Sequence, residues 1–271
     1  MSAITATRPM TRGRSTAALV AHEVRHNVRA FRRNRQAQFF TIALPVLFLV
    51  IFCALFGNGT VRVPGGTIKE STYYVPGLVG LGLIQASFAS LVVSVVTQRE
   101  LGILKRRRST PVRAWVLMAG RALTAVGIAA VMAVILILIG WLVYGASLPG
   151  RTVPAIAVTI AVGAVSFSAL AYAVSSVINS ADSAQPVVQF VLLPLYFISG
   201  VFVPAAEIPN WLLDVAKVFP VRHLQEALLK AFNPHTVGTG FAWSDLLVLA
   251  IWGVVGLAIA VWHFGWQPKA R

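Results

Sequence analysis

Five consecutive residues, His22-Glu23-Val24-Arg25-His26, have the types and spacing for metal chemistry. On a helix, two histidines four apart share a face and can hold zinc, while the glutamate beside the first can act as general base in peptide hydrolysis. A zinc site needs a third protein ligand, and a catalytic ion keeps one position open for water. In the extended form of the pattern the third histidine falls at Arg32 and the turn glycine at Arg29. The next glutamate, Glu70, lies beyond a long apolar run, and five arginines between 25 and 35 oppose a divalent cation. The pentapeptide is therefore read as a chance match, a zinc peptidase is disfavoured, and no metal is expected. No Gly-x4-Gly-Lys-Ser/Thr or Gly-x-Ser-x-Gly stretch is present and the carboxylates are scattered singly. The chain is expected to carry no catalytic residues and to bind no cofactor.

The elements that carry these residues are those of a membrane protein. Hydrophobic residues make up 57% of the 271 and charged residues 11%, against about 45–50% and about 25% in a soluble domain. Six apolar runs approach or exceed the roughly 20 residues that cross a bilayer core of about 30 Å: 39–56 with Pro45 as a kink, 74–96, 115–144, 153–178, 186–203 and 243–262. Cys53 sits in the first run as a small hydrophobe. The polar residues 1–38 ahead of that run do not resemble a cleavable signal peptide. With the N-terminus in the cytoplasm, the inside segments 1–38, 97–114, 179–185 and 263–271 hold 16 of the 23 Lys and Arg, and the outside segments hold 6. That asymmetry places both termini inside a plasma membrane, and it accounts for the net charge of +15 without a nucleic-acid partner.

The expected fold is an all-α integral membrane protein of six transmembrane helices with two additions. A cytoplasmic arm, 1–38, repeats Val20, Val24, Val28 and Phe31 at helical spacing among histidines and arginines, as an amphipathic helix on anionic lipid would. Between the last two runs, Pro204, Pro209 and Pro220 cut 204–242 into pieces too short to span. Two short amphipathic helices are expected there, dipping into the outer leaflet or lying on it, as part of a pathway or as a lid. The transmembrane domain is 39–264, followed by a tail at 265–271.

The connection 97–114 mixes charge with leucine: Arg99-Glu100-Leu101-Gly102-Ile103-Leu104-Lys105-Arg106, then Ser109-Thr110-Pro111 as a helix start. Leu101 and Leu104, at i and i+3, make a small apolar face that a partner or lipid would cover. A purely topological loop would need neither Glu100 nor interleaved leucines. This stretch resembles the cytoplasmic loop of the type-2 ABC exporter permeases, the daunorubicin-resistance-like family. FISGVFVPAAEIPNW at 197–211 and FPVRHLQEALL at 219–229 are similar to that family's later segments. The long basic run Lys105–Arg108 and the missing second small or Pro residue after Pro111 depart from its pattern and leave the extent of the coupling segment open.

The resemblance implies a permease subunit that pairs with a second, identical or homologous, permease and docks on a separate cytoplasmic ATPase, which binds ATP and Mg. Arg99, Glu100, Leu101, Gly102, Leu104, Lys105 and Arg106, with Thr110 and Pro111, would couple the two. Gln85, Asn179, Gln185 and Gln189 are candidates for a polar substrate pathway, since polar side chains within a bilayer face protein or water. Gly82, Ala86 and Ser90 form a small-residue packing seam, and Thr159, Ser166, Ser168, Ser175 and Ser176 read as helix-packing contacts. Arg121 would snorkel to the inner surface. An apolar or amphipathic substrate such as a drug, an antibiotic or a lipid suits spans without central charge. A membrane scaffold or insertion protein binding anionic lipid is the competing reading.

Overall fold

The computed structural model describes residues 15–104 and 114–263. The expected tail at 265–271 and the coupling positions Lys105, Arg106, Thr110 and Pro111 lie outside the described residues. Helix α1, Thr16–Arg33, starts at Ser15, whose Oγ accepts the Ala18 amide at 3.3 Å, and ends with Arg32 and Arg33 at its negative pole. The first span, α2, covers Arg35–Phe56. A β-hairpin follows, β1 Thr60–Val63 and β2 Gly66–Lys69, then the long second span α3, Glu70–Glu100. Spans α4 (Ala114–Tyr144), α5 (Val153–Val177) and α6 (Ala181–Ile198) lead to the short helices α7 (Asn210–Ala216) and α8 (Pro220–Phe232). The sixth span, α9, is Trp243–His263.

The six spans match the apolar runs, with two informative differences. The fifth helix begins at Ala181, about a turn ahead of Pro186, because Ser180 caps it by accepting the Ser183 amide at 3.3 Å. In α2 the distortion expected at Pro45 takes the form of a π-helical turn, Phe39–Ala43, in which the Leu44 amide reaches back to the Phe39 carbonyl. Pro45 donates no bond and its ring crowds the carbonyl four residues earlier, so the wide turn relieves it. A second π turn, Gln85–Ala89, interrupts α3 without a proline.

Helix α3 is the core of the bundle, with every residue from Ser71 to Ala89 buried. Its apolar residues run all round, as a helix enclosed on every side requires. The hairpin beside it is short and twists inward through Val61 and Ile68, and Gly65 takes the left-handed turn position at φ 92°. The Pro64-Gly65 pair between two alternating runs is the sequence signal for this turn, and it was not part of the all-helical expectation.

The two short helices behave differently. Helix α7 stays outside, with Trp211 67% exposed, whereas α8 is inserted among the spans with Val221, Leu224, Leu228 and Phe232 buried. Small residues admit it: a Cβ on Gly163 of α5 would lie 2.9 Å from Leu224 Cδ1, and one on Gly80 of α3 would lie 3.4 Å from Leu228 Cδ1. The chain unwinds after α6, and its carbonyls find donors there. Tyr73 Oη donates to Gly200 O at 2.7 Å, Gln225 Nε2 to the same oxygen at 3.1 Å, and Arg222 Nη1 to Ser199 O at 3.1 Å. Non-helical backbone among the spans is tolerated where protein satisfies it in this way.

Thr159, Ser175 and Ser176 donate to carbonyls of their own helix, those of Ala155, Tyr172 and Ala173. Ser166 packs at the close α5–α9 contact, where a Cβ on Gly253 would lie 2.8 Å from its Oγ and one on Gly256 would lie 2.8 Å from Leu170 N. In the small-residue seam of α3, Gly82 does face Pro45 and Met132 at 3.6 Å. Ala86 and Ser90 line a cavity.

Candidate functional site

An even number of crossings brings α1, the start of α2, the end of α3 and the α5–α6 turn to one end of the bundle. Arg99 and Glu100, at the last turn of α3, join them. Arg99 is 1% exposed; its Nη1 donates to Ser175 O at 2.8 Å and its Nη2 to Ile178 O. Those carbonyls belong to the last turn and cap of α5, where helix geometry leaves acceptors without partners and a partial negative charge. Glu100 Oε2 accepts the Ala181 amide at 2.7 Å, at the first residue of α6, where the dipole is positive. Two neighbouring residues of opposite charge thus grip the opposite poles of two helices across the 178–180 connection.

Beyond the clamp, α3 stops because Gly102 adopts φ 68° and its amide bonds Arg99 O at 3.0 Å. Leu101 is 68% exposed, but Leu104 is 6% exposed and belongs to the core. The apolar face expected from Leu101 and Leu104 together does not form: the backbone reverses at Gly102 and sends the two side chains apart. Leu101 is left as the outward apolar residue, with Ile103 partly exposed at 38%. Of the nine expected coupling residues, the five that are described form this clamp and turn.

Two cavities open at the same end. One of about 450 Å³ lies between α1, α3 and α4, and one of about 280 Å³ between α2, α3 and α6. They share Asn34, Ala37, Ser90, Ser94 and Gln98 as lining. Gln85 and Gln185 converge on the smaller one, from spans far apart in sequence. Asn179 and Gln189 line neither: Asn179 is exposed in the α5–α6 turn and Gln189 half-buried on α6. Arg121 lines the larger cavity and donates to Ser94 Oγ at 3.1 Å, so it turns inward rather than snorkelling outward. Ser94 also receives Gln98 Nε2 at 2.8 Å. Asn27 Nδ2 and Gln98 Oε1 are buried without a partner among the described residues, which marks the cavity lining as polar and able to bind a polar group.

The amphipathic arm roofs the larger cavity. Helix α1 packs on α4, where a Cβ on Gly120 would lie 2.7 Å from Glu23 Cβ, so the arm is docked on the bundle through the residues of the HEVRH stretch. His22 and His26 are exposed, His26 also lining the larger cavity, and no third ligand gathers with them among the described residues. The elbow to α2 is stitched by Asn34 Oδ1, which accepts the Ala37 amide at 3.0 Å, and by Gln38 Nε2, which donates to the carbonyls of Phe31 at 3.0 Å and Arg32 at 2.6 Å.

Sequence reasoning missed the clamp's targets, the arm's docking glycine and the role of Ser94. Only Gly120, a lone glycine early in an otherwise strong helical run, carried a signal for close backbone approach.

Comparison with known proteins agrees with this architecture. Residues 19–233 match the family described as ABC-2 type transporter. The chain is also similar to the protein named "Probable multidrug ABC transporter permease YbhR" of Escherichia coli strain K12, and to its counterpart in strain O157:H7. Each is 23% identical over 179 residues, 66% of this chain and 48% of the relative, so the chain spans about half the length of the curated relatives it matches. The matched region covers α1 through α8, the clamp and both cavities, and the chain is a multi-pass membrane protein of the ABC-2 type transporter family.

Proposed function

We propose that this chain is the membrane-spanning permease subunit of an ATP-driven exporter, moving a hydrophobic or amphipathic substrate out of the cytoplasm or the inner leaflet. A separate cytoplasmic ATPase, holding ATP and Mg, docks at the 97–114 connection, and a second permease completes the assembly. The basic end of the bundle faces the cytoplasm, which puts both termini inside and the hairpin and α7 outside. The multidrug permeases named above support a substrate of this chemical class.

The Arg99–Glu100 clamp carries the reading. A force applied at Leu101 reaches α3 directly and reaches α5 and α6 through the two charged side chains, so three spans move as one unit. A loop that only recorded topology would need no such connection. The paired cavities beneath the arm supply the entry chamber, and their amide and hydroxyl lining suits the polar end of an amphipathic molecule.

The test is purification of the full chain from its native membrane in mild detergent. A stoichiometric ATPase, lost in Leu101→Asp while the permease remains inserted, supports the proposal. Wild-type transport by Leu101→Asp and by Glu100→Ala overturns it. Isolation under lipid-retaining conditions with no ATPase favours the membrane scaffold.

A further inference from the structure

The described residues gather three potential metal ligands far from the HEVRH stretch. His223 and Glu226, one turn apart on α8, meet Asp245 at the start of α9, with one ligand atom from each within 4.8 Å of the others. His223 Nδ1 lies 2.7 Å from Asp245 Oδ1, and His223 Nε2 lies 2.8 Å from the Lys217 carbonyl. A carbonyl oxygen only accepts, so Nε2 carries the hydrogen and donates it. In the neutral ring the Nδ1 lone pair then faces a carboxylate oxygen, and two acceptors in contact need a positive charge between them. Backbone-anchored imidazole presenting its other nitrogen beside carboxylates is the arrangement by which proteins orient a metal-binding histidine.

We infer that His223, Glu226 and Asp245 form a binding site for a zinc-type divalent cation that ties the inserted helix α8 to the last span. One nitrogen and two oxygens suit such an ion, whose ligand distances are near 2.0–2.2 Å, and side-chain rotation suffices to close the three atoms on it. An oxygen-only site would favour magnesium or calcium, and the imidazole argues against both. Arg222 Nη2 lies 2.5 Å from Glu226 Oε1, leaving the second carboxylate oxygen for the ion and offsetting one of the two negative charges. Lys217 Nζ is drawn away to Asp214 at 2.9 Å. Access comes from the cavity of about 580 Å³ between the hairpin and α8, which Glu226 and Asp245 both line. The half-buried side chains of His223 and Asp245, 14% and 16% exposed, would limit the ion's remaining positions to water. Closing the site would restrain α8 against α9 and therefore bears on whether the inserted helix can move.

The probe is cobalt(II) added to the full-length, chelator-stripped chain in detergent. The expected result is one cobalt per chain with a visible ligand-field band, displaced by zinc. Binding should weaken at least about tenfold in His223→Gln and in Asp245→Asn and be unchanged in the His22→Ala/His26→Ala double variant. No band in the wild-type chain overturns the inference, as does a band that survives both substitutions or disappears in the double variant. If the substituted chains do not fold, the wild-type spectrum decides. A His223 ring that keeps both protons in nitrogen-15 NMR after cobalt or zinc is added would make the contact a plain ion pair and equally end the proposal.

Discussion

Arg99→Gln tests the clamp where it is most exposed to failure. Arg99 makes two charge-assisted bonds to the end of α5, each worth about 1.5–3 kcal/mol. Glutamine is shorter and neutral and can recover one ordinary bond of about 0.5–1.5 kcal/mol. The net loss is about 1.5–5.5 kcal/mol, concentrated where α5 passes into α6. At 1.4 kcal/mol per factor of ten, a loss of about 3 kcal/mol within that range speeds local opening about a hundredfold. Hydrogen exchange of the solubilised full chain reads this directly, because the Ala181 amide is held by Glu100 and the Ser183 amide by Ser180. Peptides covering 178–183 should exchange about a hundredfold faster, while those from α8, whose donors lie at the other end, should not change. Arg99→Lys, with one compact charge in place of a planar fork, should recover about half of the effect. Unchanged exchange at 178–183 would show that Arg99 holds nothing there. Equal acceleration throughout the chain would show that it supports global stability rather than a local clamp. Either result removes the mechanical connection on which the proposed function stands.

Four further outcomes are expected. Gly120→Val forces a side chain onto Glu23 Cβ, which a Cβ alone already approaches to 2.7 Å; it should release α1, read as faster tryptic cleavage at the arginines of the arm, with Gly120→Ala intermediate. Gly256→Leu meets the Leu170 backbone and should destabilise the α5–α9 contact by at least the about 1–3 kcal/mol typical of overpacking, seen as a lower unfolding temperature in detergent; an unchanged value would place the two helices further apart. Ala37→Trp enters the lining common to both inner cavities and should abolish transport while leaving membrane insertion and ATPase recovery intact. A tag at residue 65 should be labelled from outside intact cells and one at residue 107 should not, the reverse pattern overturning the orientation.

Much of the architecture was legible because each span is long enough to declare itself, and because Pro204, Pro209 and Pro220 announce that 204–242 does not span. The arm was legible from the recurrence of Val20, Val24, Val28 and Phe31, although its docking on α4 was not. What stayed hidden shares a physical cause. Arg99 acts on backbone carbonyls 76 and 79 residues away, and no residue type in α5 advertises which carbonyl will be left without a partner. Leu104 read as half of an apolar face by spacing alone, but spacing predicts a shared face only while the helix continues, and Gly102 ends it. Gln85 and Gln185 were named together with Asn179 and Gln189 as candidates for a polar pathway, and only the packing of α3 against α6 shows which two share a cavity.

The histidine patterns at the two ends of the molecule make the same point more sharply. His22 and His26 have metal spacing and lack surroundings: no third ligand gathers with them among the described residues, the arm is rich in arginine, and Glu23 packs against Gly120. His223 has no recognisable metal spacing beyond a glutamate one turn on, yet its ring is anchored by a backbone carbonyl and set against a carboxylate from another helix. A ligand needs a fixed lone pair, a hydrogen-bond partner that orients its ring and a converging neighbour, and all three are products of tertiary structure. A substitution that spares the ligands and removes only the convergence separates the two cases. Trp252, on α9, donates from Nε1 to Val218 O at 3.1 Å, tying α9 to the α7–α8 turn beside the cluster. Trp252→Phe keeps most of the packing and deletes that bond, so cobalt affinity at His223 should fall although no ligand has changed. Affinity identical to wild type would mean that the ligands alone assemble the site.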